Sequence, residues 1–474
     1  MGKKRFCIIF LITLISLICF TSGCTREETA FSRERIPSEE DLLSLKRPFQ
    51  ISDEDISSYI DPSQTVAKQI EYINQYSLEK EYKRTQILDK KSAEEDVDLF
   101  FNILKNCYAG YLPNGGDLRF NQAKEAIKEQ IGSQVKAMDL EVLIRDNMAF
   151  VEDSHFTVGS KFYLQNKAWY TANDVIIDKK DNGYINIKNG KYIKNSEEIE
   201  PLIQPSLLKG RYLYYQLFAQ DINELPKRIV YEDGTSDDIE AKAIYPSQDL
   251  NKGPVFKRKG NVAYLRIPRF YFSHEEDEYN IVIEGAKKMA QENYGLLDLR
   301  GNEGGNAILA YKWFEYYTGE KPTPSYDEMG IINPTIFENL DSAQTWEDFM
   351  EFSGAEVYGE NHVITKHSRK TIPKEGILIV LIDSAVGSAG EILVDFLHHL
   401  ENTVFIGMPT KGCCNGSSMV TLYMKNSNIP FNFGNFWRIF QKDYFQENRG
   451  FLPDVWAPDI DLDNIFELLN GYAE

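Results

Sequence analysis

Two glycine-bearing turns in this chain carry residues suited to covalent chemistry. Gly387-Ser-Ala-Gly-Glu391 follows the continuous apolar run Ile377 to Ile382. That order puts Ser388 at the start of a helix, where unpaired N–H groups and the helix dipole favour developing negative charge. Arg300-Gly-Asn-Glu-Gly-Gly305 follows Leu296-Leu-Asp298, and its clustered glycines let backbone amides approach a ligand closely. If the two turns meet, they supply a nucleophile and an oxyanion hole, the parts that acyl transfer most needs.

Each residue also has a simpler role open to it. Ser388 with Glu391 three residues later is a capping box, which makes Ser388 a helix cap on local evidence. The glycine turn fits neither G-x-G-x-x-G nor the P-loop, and Val386 stands where an α/β-hydrolase elbow needs glycine. His155 alone reads as a surface or helix-end histidine more readily than as a base. His398-His399 falls at a helix end, where an imidazolium is favourable. The six histidines include no H-E-x-x-H, and adjacent Cys413-Cys414 lack zinc-ribbon spacing, so neither a metal nor another cofactor is expected.

The elements that must position these groups change character along the chain. Residues 1–24 read as an export signal and 25–90 as a polar tether with short helices. Residues 91–160 form an amino-terminal helical domain, opened by the Ser92–Glu95 capping signature and by Val97, Phe100, Phe101, Leu104 and Tyr108 at helical spacing. Short alternating segments broken by Asn-Gly pairs make 161–253 a β-rich middle module. Residues 254–474 alternate strands with helices, the pattern of an α/β core with parallel pairing.

That last part resembles the carboxy-terminal processing (tail-specific) serine peptidases and their tricorn-core relatives. The matching pieces, in family order, are Asn261-Val-Ala-Tyr-Leu-Arg-Ile-Pro268, Asp298-Leu-Arg-Gly-Asn-Glu-Gly-Gly305, Ser388-Ala-Gly-Glu391, Ile406-Gly-Met-Pro-Thr410 and Glu447-Asn-Arg-Gly-Phe-Leu-Pro-Asp454. They cover roughly residues 254–458, with a thinner match around His155. The resemblance implies a crotonase/ClpP-like α/β peptidase core. It makes Ser388 the nucleophile and the Gly304 and Ala389 amides the oxyanion hole. The processing peptidases place a general-base lysine after T-x-G, and here Thr410-Lys411-Gly412-Cys413 puts Cys413 at that position. The tricorn-like branch instead takes its base from an amino-terminal D-x-H segment. Asp153-Ser-His155 resembles it and makes His155 the base, with a displaced Lys411 as the alternative. The branch's late glutamate maps onto Glu447, for which a solvated loop charge is the simpler role. Family PDZ domains fall where 161–253 lies, but no G-L-G-F-like carboxylate-binding loop is present there.

Composition and the amino terminus set the surroundings. Hydrophobic residues make up 42% and charged residues 26%, ordinary globular usage. A formal charge of -20 disfavours nucleic acid as a partner. Lys3, Lys4 and Arg5 precede the apolar stretch Phe6 to Phe20, which as a helix would span about 22 Å, short of a roughly 30 Å hydrocarbon core. It reads as a signal-peptide core. Thr21-Ser-Gly-Cys24 resembles a bacterial lipobox with Thr21 in the usual leucine position, which makes Cys24 the lipidation site; an ordinary secretory signal is the alternative. The expected protein is an extracytoplasmic, lipid-anchored serine peptidase acting on a peptide or protein substrate. A catalytically silent peptide-binding lipoprotein and a crotonase-like acyl-CoA enzyme are the competing readings, and export counts against the second.

Overall fold

A computed structural model of the chain describes residues 35–48, 59, 81–159, 161–162, 168–172, 174–246, 253–271, 276–331, 356–358, 362–367 and 370–473. The export signal, Cys24 and most of the expected tether lie outside the described residues.

Helix α1 (Lys90–Cys107) opens the amino-terminal region, followed by helices over Gly116–Gln130 and Ala137–Asn147. The α1 cap is Asp89 rather than Ser92, because the Asp89 carboxylate accepts from the Ser92 N–H at 2.8 Å and adds residues to the first turn. Phe100, Leu104 and Tyr108 pack with Phe431, Phe433 and Trp437 of the long strand Pro430–Ile439. The helices thereby cover one face of an antiparallel sheet that also holds Thr157–Val158, Asp327–Ile331 and Gly416–Tyr423.

The second sheet is the α/β core. Strands β1 (Val262–Arg266), β2 (Tyr294–Asp298), β3 (Ile377–Ile382), β4 (Thr403–Gly407) and β5 (Val455–Trp456) lie side by side, all parallel. Both faces are buried, and successive residues go to opposite sides. Leu297, Leu378, Val380 and Phe405 meet the crossover helices Glu276–Met289, α2 (Ala307–Thr318) and α3 (Ala389–His398). Leu296, Ile379, Leu381 and Val404 meet helix α4 (Leu462–Tyr472) and Leu42 of the segment 35–48.

The middle segment does not stand apart from this core. Its hairpin Ile203–Leu208/Tyr212–Ala219 continues the core sheet, with Ser206 pairing parallel to Trp456 of β5 and donating to its carbonyl at 2.9 Å. Trp456 is stacked on Phe218, ring centroids 4.5 Å apart.

Candidate active site

Three turns leave the carboxyl ends of neighbouring parallel strands, where open α/β sheets hold their ligands. Residues 299–305 follow β2, 383–388 follow β3 and 408–413 follow β4. Ser388 ends the second turn with φ 51° and ψ −118°, a conformation that costs an L-residue energy and holds its side chain at the head of α3. The buried Glu391 carboxylate fastens this turn to the third one. It accepts from the Ser388 N–H (3.2 Å), Thr410 Oγ1 (2.6 Å), and the Gly412 and Cys413 N–H groups (2.7 and 2.8 Å). Glu391 is therefore more than the partner of a helix cap, a role its place in a capping box did not disclose.

His155 comes from the other sheet. The Asp153 carboxylate accepts the His155 N–H at 2.9 Å and the buried Tyr108 hydroxyl at 3.0 Å, which fixes the bend in front of Thr157–Val158. That short strand pairs with Phe431 and Asn432. The result is an imidazole Nε2 3.2 Å from Ser388 Oγ, across 233 residues of sequence. Burial, followed by the charges of Arg438 and Lys411, lowers the His155 pKa to about 4, so the ring is neutral at neutral pH. Its Nδ1 is buried without a hydrogen-bond partner among the described residues. With Nδ1 protonated, Nε2 presents a lone pair to the Ser388 hydroxyl.

The glycine turn meets the serine as required, with one change in its expected chemistry. A Cβ placed on Gly304 would lie 2.8 Å from Ser388 Cβ and 2.9 Å from the Ala389 nitrogen, so only glycine permits this approach. The Gly304 N–H, however, donates to Asn302 Oδ1 at 2.9 Å and is already committed. Asn302 is fully buried. Its amide donates to the Ile267 carbonyl (3.0 Å), and its own carbonyl accepts the Gly387 N–H (2.9 Å). It ties the glycine turn to β1 and to the residue before the serine. The next amide differs. Phe270 N–H donates to the Gly304 carbonyl and Asn306 N–H to the Phe270 carbonyl, the pattern of a parallel bridge between Phe270 and Gly305. In that pattern the N–H and C=O of Gly305 itself point away from Phe270.

Glu447 is held in place rather than solvated. Its carboxylate accepts from the Ser154 N–H (2.8 Å) and from the Cys414 and Asn415 N–H groups (3.2 and 3.0 Å), joining the histidine segment to the third turn. Burial, and then the charge of Asp153, push its pKa well above the ordinary carboxylate range. Among these bonds none reaches the His155 ring; the carboxylate meets the histidine segment only at the Ser154 N–H. Cys413 Sγ lies 3.8 Å from His155 Nε2, and burial pushes its thiol far up. A Cβ on Gly387 would meet Lys411 Cδ at 3.0 Å, so the Lys411 stem packs beside the serine turn. His398 stands away from the site. Its ring stacks on Phe405 with centroids 4.1 Å apart, and burial holds its pKa near 3, so it serves the helix end as a neutral packing group and not as an imidazolium.

Among the described residues no cluster of three or more His, Cys, Asp or Glu is placed to hold a metal ion. A cavity of about 330 Å³ opens beside Glu447, lined by Asn114, Glu152, Trp437, Arg438 and Phe440 among others. A larger one of about 760 Å³ lies against Arg300, Asp383 and Met408 and is lined by neither Ser388 nor His155. Ser388 itself is only partly buried.

Comparison with known proteins bears on the same residues. Residues 261–457 match the family described as peptidase family S41. The nisin-resistance protein of Lactococcus lactis subsp. lactis is 25% identical over 209 residues, 44% of this chain and 61% of that protein, so the match spans less than two thirds of that relative's length. Among solved structures, mature CPAF shows 13% identity and a TM-score of 0.42 over 81% of this chain and 95% of its own. The photosystem II D1 C-terminal processing protease shows 11% identity and a TM-score of 0.39 over 81% and 98%.

Proposed function

We propose that this chain hydrolyses peptide bonds through an acyl-enzyme on Ser388, with His155 as its base, a reading supported by the match of residues 261–457 to peptidase family S41, a family of serine peptidases. The observation that carries the reading is the 3.2 Å separation of His155 Nε2 from the Ser388 hydroxyl. His155 accepts the hydroxyl proton as Oγ attacks the scissile carbonyl. The Ala389 N–H and the free amide of the glycine turn, that of Gly305, hold the oxyanion while Asn302 keeps Gly304 in place. The imidazolium then protonates the leaving amine, and water hydrolyses the ester with His155 again as base. Glu447 acts by holding the His155 segment against the third turn, its carboxyl accepting the Ser154, Cys414 and Asn415 N–H groups.

Digestion of an unfolded protein substrate in H₂¹⁸O tests this reading. Each newly formed carboxyl terminus should carry the heavy isotope, and Ser388→Ala should abolish the products. Hydrolysis undiminished in Ser388→Ala would refute it, and a folded wild type with no hydrolysis would favour a silent peptide-binding protein.

The proposal extends to place. The basic and apolar amino terminus followed by Thr21-Ser-Gly-Cys24 supports an extracytoplasmic enzyme anchored by lipid on Cys24. Metabolic labelling with a fatty-acid probe should mark the wild type and not Cys24→Ala, which should leave the membrane fraction. The name of the Lactococcus relative favours one substrate class, nisin-like antimicrobial peptides. Incubation with nisin should then yield fragments only when Ser388 is present.

A further inference from the structure

The free edge at Gly305 has a direction and a neighbour. Its N–H and C=O point away from Phe270 and have no partner among the described residues, while Gly304 lies against Ser388 Cβ and the Ala389 nitrogen. One residue of an extended chain can bond to both groups of Gly305, as paired residues do in an antiparallel ladder. If that residue supplies the scissile carbonyl, its C=O meets the Gly305 N–H beside Ser388, and its N–H meets the Gly305 carbonyl. Directly opposed residues in such a pair project side chains to the same face. At Gly305 that face is marked by Tyr271: a Cβ added to Gly305 would lie 3.1 Å from Tyr271 Cδ2.

Tyr271 is 68% exposed, with its ring outside the described core. A large aromatic left open beside a strand edge offers apolar area to whatever joins that edge. A charged neighbour among the described residues is Arg269, whose Nε donates to the Tyr271 carbonyl at 3.1 Å and whose Nη2 pairs with Glu278 at 3.3 Å. A cation held at the Tyr271 backbone disfavours a second one nearby, and its existing pair with Glu278 leaves little for an acidic side chain to gain.

Resting on the acyl-enzyme reading above, we infer that Tyr271 is a specificity-determining residue: the substrate residue that contributes the scissile carbonyl pairs with Gly305, and its side chain lies on the Tyr271 ring. The substrate class is accordingly a peptide with a large apolar or aromatic residue on the acyl side of the cleaved bond.

A set of peptides differing only at that residue tests the inference, with Leu, Phe, Ala, Asp and Lys compared. The wild type should cleave after Leu and Phe with kcat/KM about tenfold or more above the other three, the scale of discrimination an apolar contact provides. Tyr271→Ala should erase the preference chiefly by raising KM for the Leu and Phe peptides, and Tyr271→Phe should keep it. A wild type that cleaves all five alike, or a preference that survives Tyr271→Ala, would overturn the assignment. Fluorophosphonate labelling of Ser388 in the same preparations separates the two levels. Labelled enzyme with a flat profile defeats the Tyr271 assignment alone, whereas enzyme that neither labels nor cleaves defeats the acyl-enzyme reading and this inference with it.

Discussion

At the scale of single residues, the proposed site pairs a histidine kept neutral with a serine held in a costly backbone conformation. Burial, Arg438 and Lys411 lower the His155 pKa to about 4. In the unfolded chain the same group titrates near 6.5, so as pH falls from about 6.5 towards 4 only the unfolded state takes up this proton, and the stability His155 contributes is lost across that window. A base must be neutral to act, so the acid limb of kcat/KM should fall near pH 4. Lys411→Met removes one of the two cations and should move that limb upward while leaving activity within about tenfold, since removing a true general base costs roughly 10²–10⁴-fold. A pH–rate profile of both proteins checks this, and a thousandfold loss in Lys411→Met would make Lys411 the base instead. The two glycine-bearing turns could be singled out in the sequence because turn chemistry is local, but local evidence alone made Ser388 a helix cap and only the resemblance made it the nucleophile. His155 was legible only through resemblance, since nothing local says that a residue 233 positions away will arrive at the serine. Asn302 and Gly305 lay inside a quoted motif, but which amide of the turn is free depends on the hydrogen bonds of Phe270 and Asn302, which no spacing reveals.

At the scale of elements, turns converge because buried polar side chains tie them. Glu391 accepts four hydrogen bonds from the serine turn and the 410–413 turn. Unpaired buried donors cost about 1–3 kcal/mol each. Glu391→Ala should therefore destabilise the fold by several kcal/mol, read as a lower denaturation midpoint, and should cost more than an order of magnitude in kcat. Glu391→Gln keeps an acceptor and should recover part of both. Unchanged kcat in a folded Glu391→Ala would show that the third turn does not position the serine. Sequence pattern placed the helices and strands of the core well, since alternation and apolar runs follow directly from two-sided burial. It misjudged ends: Ser92 carried a capping signature, but Asp89 captured the Ser92 N–H and started α1 earlier.

At the scale of the molecule, the parts form a more continuous body than their sequence textures suggest. The middle hairpin reads as a separate β-rich module, yet its Ser206 joins the edge of the core sheet at Trp456. Pairing between strands so distant in sequence leaves no local trace. The segment 35–48 likewise belongs to the core. Leu42 is fully buried against Val404, Ile406 and α4, and the Arg47 N–H donates to Asp454 Oδ1 at 2.7 Å. Leu42→Ala should lower stability by about 2–5 kcal/mol. Thermal denaturation reads the loss, and kcat at a temperature where the variant is folded should be unchanged, because Leu42 lies across the sheet from α3. A fall in kcat without a fall in stability would mean that this segment acts on the site directly.

The most direct measurement is intact-mass analysis after exposure to a fluorophosphonate, performed on the wild type, Ser388→Ala and His155→Ala. The wild type should gain one adduct, located by peptide mapping at Ser388; Ser388→Ala should gain none; and His155→Ala should react at least about a hundredfold more slowly. An adduct that persists in Ser388→Ala, or an equal rate in folded His155→Ala, would contradict the pairing of this hydroxyl with this imidazole.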